Sequence, residues 1–462
     1  MKKIESINPY TNEVIEVFTP LNTSEIKEKI DKAHEAFLEW RNTPVDERVK
    51  YAEKAAQILM ENQEKYAKLC TQEIGKLFSE GMEVEVPASA GIFGFYAAKA
   101  GEFLKPEVVD GAMFSKPTIH KIPTGVIFGI TPWNYPLIQV LRVAVPNIMA
   151  GNVFITKHAS NVQQTAKAIE ELFEEAGFPS GIYTNLTISS SDVAMIIDDE
   201  KVAGVSFTGS ERVGTIIAKQ CASLIKPHAI ELGGSDPFIV LEDADLEMAV
   251  EMAFIGRIGN CGQTCYASKR ILIHESLYGE FVEKYKEKFE MLSPSDPMKM
   301  SSTYAPMNSK SSCDDILSIV EKAVKQGAKC ITGGEKIKSE PGAWIEPTII
   351  SNITKDMDIY NEELFGPVAM VFTFSTDKEA LEIANGVPFG LGSSVISKDI
   401  ERAQKLALKI ETGMTAINSF MIAEPAVPFR GIKKSGYGCE LGKEGFEEFL
   451  NKKVVLLVEN QS

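Results

Sequence analysis

Cysteine and histidine are scarce in this chain of 462 residues, with seven and five copies. There is no HExxH and no CxxC pair, so neither a catalytic nor a structural zinc is expected. An odd cysteine count in a long chain argues against a disulfide framework and for reduced thiols. Basic charge is also in deficit, with 48 Lys+Arg against 64 Asp+Glu and a formal net charge of −16. Nucleic acid is therefore not an expected partner, because phosphate binding needs a basic face. No uncharged apolar run reaches the roughly 18 residues of a membrane span, and the opening MKKIESINPY has no apolar stretch after its lysines. The expectation is a cytoplasmic protein with no membrane partner.

The length predicts two or three domains. A composition of 44% hydrophobic and 24% charged residues is that of a globular chain. Residues 24–75 read as helical, with Ser24 as N-cap and Gly75 as the stop. From Gly125 onward short apolar strands alternate with amphipathic helices: GVIFGI, NVFITK, IYTNLTI and VAGVSFTG are the strands. Strand, helix, strand with short connections implies a parallel, doubly wound α/β sheet. A second set of alternations after HAIELGGSDPFIVL predicts a second α/β domain, with the junction near residue 232.

Four segments can carry chemistry. NCGQTCYASKR holds Cys261 and Cys265. Most cytosolic cysteines are small buried hydrophobes, yet these sit among small, polar and glycine residues, which suit an accessible turn. Glu231 closes the apolar strand of HAIELGG. It is either an edge glutamate in solvent or a buried acid whose raised pKa makes it a general base. In VSFTGSERVG, Gly209 and Ser210 sit at the start of a helix, where free N–H groups suit a pyrophosphate. The spacing is neither a P-loop nor a GxGxxG. Asn134 in TPWNYP follows the first strand of the α/β set, where it can donate to an oxyanion or bond its own turn.

Together PWNYP, ITKHAS, FTGSERVG, ELGGSDPFIV, GQTC, EELFGPV, LGSSV and PFRGIKKSGYG resemble the aldehyde dehydrogenase superfamily over nearly the whole chain. The resemblance implies two doubly wound α/β domains plus a small β oligomerisation element. Residues 1–103 and 124–232 would form the dinucleotide-binding domain, 233–434 the catalytic domain, and 104–123 with 435–462 the element that builds a homodimer or homotetramer. It implies Cys265 as nucleophile, Glu231 as general base and Asn134 in the oxyanion hole. Trp133, Lys157, Ser160, Gly209, Ser210, Glu363 and Phe365 would contact the dinucleotide. The reaction implied is oxidation of an aldehyde to an acid through a thioester on Cys265.

Within the family, the short N-terminus, KHAS and KKSGYG look most like the branch acting on succinic semialdehyde. A substrate with its own carboxylate needs a cation. The resemblance puts a substrate arginine at Arg142, and Arg257 is a second choice. Ser160 stands where NAD-preferring relatives carry a glutamate, so NADP is expected to be preferred and NAD accepted. Cys261 is a possible redox partner of Cys265. Two departures are Arg430, where the family has glycine, and Cys439, where it has arginine. The alternatives are a broad-specificity or phosphorylated-aldehyde dehydrogenase and a non-catalytic protein on the same fold.

Overall fold

Asn22, not Ser24, opens the first helix, Thr23–Trp40. Its side-chain oxygen accepts from the N–H groups of Ser24 and Glu25, while the Glu25 carboxylate accepts from the Asn22 N–H. This reciprocal arrangement needs an acid three residues on; from Ser24 that position is Lys27, so the cap moves upstream. The following helical stretch divides at Asn62 into Val45–Glu61 and Gln63–Ile74. Gly75 ends it at φ 76°, a left-handed conformation that glycine adopts without a steric cost.

In the computed structural model, which describes residues 3–111, 116–338 and 341–458, two open sheets carry the molecule. The first has six strands, in the order Gly436–Tyr437, His228–Glu231, Val202–Thr208, Val126–Ile130, Val153–Lys157, Tyr183–Asn185. All neighbours are parallel except Gly436–Tyr437, which runs antiparallel to His228–Glu231. The second has seven strands and is parallel except at Lys329–Thr332. The chain passes between them in the four residues separating Glu231 from Asp236.

Strand periodicity explains why the second sheet is covered on both faces. Phe238, Val240, Ile271 and Ile273 enter one core while Ile239, Leu241 and Leu272 enter another, because successive side chains point to opposite faces. The helix Ile138–Ala150 is apolar nearly all round and buried against the first sheet, with Arg142 inside it.

A third sheet is antiparallel, with Lys116–Pro123 between Glu107–Val108 and Leu450–Leu457. Residues 1–2, 112–115, 339–340 and 459–462 of the expected divisions lie outside the described residues. The stretch from 435 onward does more than the sequence suggested. Its first part adds Gly436–Tyr437 to the six-stranded sheet and brings Glu440 beside Glu231. No helix among the described residues is long and apolar enough to cross a membrane.

Candidate active site

Cys265 lies in the loop between the helix Leu246–Ile258 and the strand Ser268–His274. The turn before it is held in an uncommon backbone conformation. Asn260 and Cys261 have φ 53° and 55°, values that non-glycine residues adopt only when their surroundings enforce them. The enforcement is visible. Asn260 donates its N–H to Glu80 (2.8 Å) and its side-chain amide to the Asn134 carbonyl (2.8 Å). Asn134 returns a hydrogen bond to the Gln263 carbonyl at 2.9 Å. The PWNYP turn and the Cys265 loop are thus stitched together. Burial pushes the Cys265 thiol up to about 12, with Arg142 and Lys269 pulling the other way.

Glu231 ends its strand opposite Thr208 and Gly436. It is buried, and neither oxygen makes a full hydrogen bond. Burial first, and the Glu440 carboxylate second, raise it well above the usual carboxylate range, while Arg142 opposes. Glu440 accepts from the Thr208 hydroxyl at 3.1 Å and pairs with Nε of Arg142. The Arg142 guanidinium also lies 4.4 Å from the Phe429 ring centre, a cation–π distance. Its Nη2 is buried without a hydrogen bond.

Two cavities are lined by Cys265 or by its immediate neighbours. One, of about 270 Å³, is lined by Trp133, Ser210, Gly233, Cys265, Glu363 and Phe365 among others. It opens where the parallel strands end, the usual ligand position of such sheets. Trp133 and Phe365 meet edge to face at 5.8 Å. Ser210 precedes the helix Glu211–Ser223 and makes no side-chain cap, so the first amides of that helix are free for an anion. A Cβ on Gly233 would collide with the Glu363 carboxylate; the glycine leaves room for that acid at the cleft wall. Lys157 ends the neighbouring strand, buried, with its ammonium on the His158 carbonyl at 3.1 Å. Ser160 is exposed just beyond. These features fit a dinucleotide.

The second cavity, of about 410 Å³, is lined by Thr264 and Tyr266, which flank Cys265, and by apolar side chains such as Ile138, Ile255 and Phe420. Its one charged lining residue among those described is Glu80, whose Oε2 is buried without a partner.

The aldehyde dehydrogenase family model matches residues 1–455. The chain belongs to the aldehyde dehydrogenase family. Among its relatives, the succinate-semialdehyde dehydrogenase [NADP(+)] of Deinococcus radiodurans is 40% identical over 450 residues, covering 97% of this chain and 94% of that one. The probable enzyme of the same name from Synechocystis is 40% identical, over 98% and 99% of the two chains. The crystal structure of succinic semialdehyde dehydrogenase from Streptococcus pyogenes in complex with NADP+ superposes with a TM-score of 0.96. It is 39% identical and covers 99% of this chain and 100% of that one. The chain is an NAD(P)-dependent aldehyde dehydrogenase with the family's α/β fold.

The structure brings Cys265, Asn134, Trp133, Gly209, Ser210, Glu363 and Phe365 around one cavity. Glu231 and Arg142 lie beside it, within electrostatic reach of each other and, through Arg142, of Cys265. Three of the expected site residues, Arg142, Arg257 and Cys261, are not among the residues lining either cavity. Arg142 lines neither cavity as a free cation, since Glu440 holds it. Arg257 is turned elsewhere, with Nη2 donating to the carbonyls of Leu364 (2.9 Å), Gly262 (3.3 Å) and Gly366. It braces the Glu363 loop against the turn before Cys265, because a buried guanidinium needs several acceptors. Cys261 packs with Tyr304, Met307 and Cys313 in one core, while Cys265 belongs to the other. The Cys261 thiol interacts with the Tyr304 hydroxyl and lies near Cys313.

Sequence reasoning missed Glu440 and Lys269. A lysine and an arginine together ahead of the apolar Ile271-Leu272-Ile273 run of one strand, in SKRILIH, were a readable signal for the second. Glu440 had none beyond following the SGYG turn. Of the two departures, Arg430 is exposed and Cys439 is buried; burial, with Glu231 next, pushes the Cys439 thiol up to about 12.

Proposed function

We propose that this aldehyde dehydrogenase oxidises succinic semialdehyde to succinate through a thioester on Cys265, with NADP preferred and NAD accepted. The observation that carries the chemistry is the position of Cys265 between two cavities. It lines the cleft that fits a dinucleotide, and its neighbours line the apolar one. The thiolate adds to the aldehyde carbon, and the new oxyanion takes hydrogen bonds from the Asn134 side chain and the Cys265 N–H. The bound dinucleotide supplies a hydride acceptor; loss of hydride from the carbon leaves a thioester on Cys265. Glu231 takes a proton from water, the hydroxide adds, and the C–S bond breaks to give the acid and the thiolate.

The substrate assignment rests on the names of the relatives and on the unpartnered Nη2 of Arg142. The apolar lining of the second cavity favours a second reading, an uncharged aldehyde with an apolar tail. Turnover of succinic semialdehyde, butanal and a phosphorylated aldehyde, each with NADP and NAD, decides between them. A higher kcat/KM for butanal would remove the first reading. For the mechanism, Cys265→Ala abolishes turnover while dinucleotide binding survives, and Glu231→Gln accumulates an acyl-enzyme visible by intact mass. Wild-type turnover in either variant sinks its assigned role.

We further propose a dinucleotide-binding domain over 1–103 and 124–232, a catalytic domain over 233–434 and an oligomerisation element over 104–123 and 435–462, of which Gly436–Tyr437 also pairs into the six-stranded sheet. A cytoplasmic homodimer or homotetramer is supported by seven free cysteines and by exposed Val454, Val455, Leu456 and Leu457 on the strand that pairs with Lys116–Pro123. Sedimentation of Val455→Asp with Leu457→Asp should show smaller particles than wild type; an unchanged size would place the interface elsewhere.

A further inference from the structure

Lys269 is an unexpected residue in its strand. The side chain is fully buried between the strand Ser268–His274 and the nucleophile loop, where an ammonium is unfavourable unless surrounded by acceptors. It finds three oxygens, as many as it has hydrogens. Nζ donates to the carbonyl of Cys265 at 2.5 Å and to that of Thr264 at 3.0 Å. It stands 3.4 Å from Oε1 of Glu363. Glu363 also accepts the Gly234 N–H at 3.2 Å, and it shares the wall of the dinucleotide cleft with Cys265. One cation therefore joins the main chain of the nucleophile to a carboxylate that lines the cofactor's cavity, although the two are far apart in sequence.

We propose that Lys269 is a positioning residue that couples occupation of the dinucleotide cleft to the nucleophile, by sharing one ammonium between Glu363 and the Cys265 carbonyl. The inference rests on the reading of Cys265 as nucleophile and Glu363 as the acid facing the nicotinamide ribose. A ribose diol donates to Glu363, weakens that carboxylate's hold on Lys269, and leaves the positive charge directed at the Cys265 loop. The charged groups whose fields act on the thiol are Arg142 from the helix Ile138–Ala150, Lys269, Glu363, and Asp236 from the strand Asp236–Val240. Lys269 and Arg142 favour the thiolate, and Glu363 and Asp236 oppose it. Shielding Glu363 therefore makes Cys265 more reactive, and so does any change that removes its charge.

The test reads Cys265 directly and needs no aldehyde. Alkylation by iodoacetamide is followed by intact mass across pH 6–10, with and without saturating NADP, in wild type, Lys269→Met, Lys269→Arg and Glu363→Gln. Lys269→Met should slow alkylation about tenfold at neutral pH, the effect of one unit on a thiol, and should lose the acceleration by NADP. Lys269→Arg, which keeps the charge, should recover most of the rate. Glu363→Gln should alkylate faster than wild type and likewise ignore NADP. A wild-type pH profile and NADP response in Lys269→Met overturns the proposal. If that variant does not fold, Glu363→Gln decides alone, and a rate equal to or below wild type overturns it. Cys265→Ala is the control: equal labelling there would bring down the assignment of the nucleophile, and this inference with it.

Discussion

Arg142 and Glu440 form an ion pair sealed from solvent, 1% and 3% exposed, and they act in opposite directions on Glu231. Glu231 works as a base only when ionised. Its pKa is raised by burial and by Glu440, and lowered by Arg142. The acidic limb of thioester hydrolysis should therefore move to lower pH in Glu440→Gln, where a negative neighbour is gone. It should move to higher pH in Arg142→Met, where the counter-ion is gone. The pH dependence of single-turnover deacylation checks this, and limbs that move the same way would contradict it.

The same pair changes what Arg142→Ala reports about the substrate. Removing the arginine strands Glu440, so kcat should fall for every aldehyde. If Nη2 also grips a distal carboxylate, succinic semialdehyde loses a further charge-assisted contact of about 1.5–3 kcal/mol. The ratio of kcat/KM for succinic semialdehyde over butanal should then drop at least tenfold. An unchanged ratio means that Arg142 serves Glu440 alone.

Ser160 is exposed beyond the strand that ends in Lys157, where it neither repels nor excludes a 2′-phosphate. Ser160→Glu places a carboxylate there, which disfavours the phosphate and accepts from a ribose diol. The NADP/NAD ratio of kcat/KM should swing towards NAD at least tenfold, about 1.4 kcal/mol. An unmoved ratio would show that Ser160 does not face the ribose.

Cys261 is buried in the core of the seven-stranded sheet, and burial raises its thiol further from ionisation. Such a thiol is a poor resolving partner. Mild peroxide should yield no Cys261–Cys265 disulfide by non-reducing peptide mapping, and Cys261→Ala should lose and regain activity like wild type. Detection of that disulfide would require the left-handed turn to open.

Much of the site was readable as chemistry in local strings. Gly209-Ser210 before a helix, Glu231 at a strand end and Asn134 after a strand are positions whose surroundings are set within a few residues, by the end of a strand or the start of a helix. The helix start at Asn22 was misplaced by two residues, since a serine and an asparagine are both good caps and only the position of Glu25 decides between them.

Periodicity, strand ends and turn residues determined the two α/β sheets and most of the cleft between them, because these are properties of neighbouring residues. The fates of the buried charges were decided only by the tertiary structure. Arg142 and Arg257 are both buried arginines on helices near the site, yet one finds Glu440 and the other three carbonyls. A buried cation is directed by whichever acceptors the fold brings within reach: Glu440 for Arg142, and Leu364 and Gly366 for Arg257, lie about a hundred or more residues away, and only Gly262 is a sequence neighbour. Lys269 shows the same dependence: its partner Glu363 arrives from a distant loop, and only the close packing of the interior puts the two together.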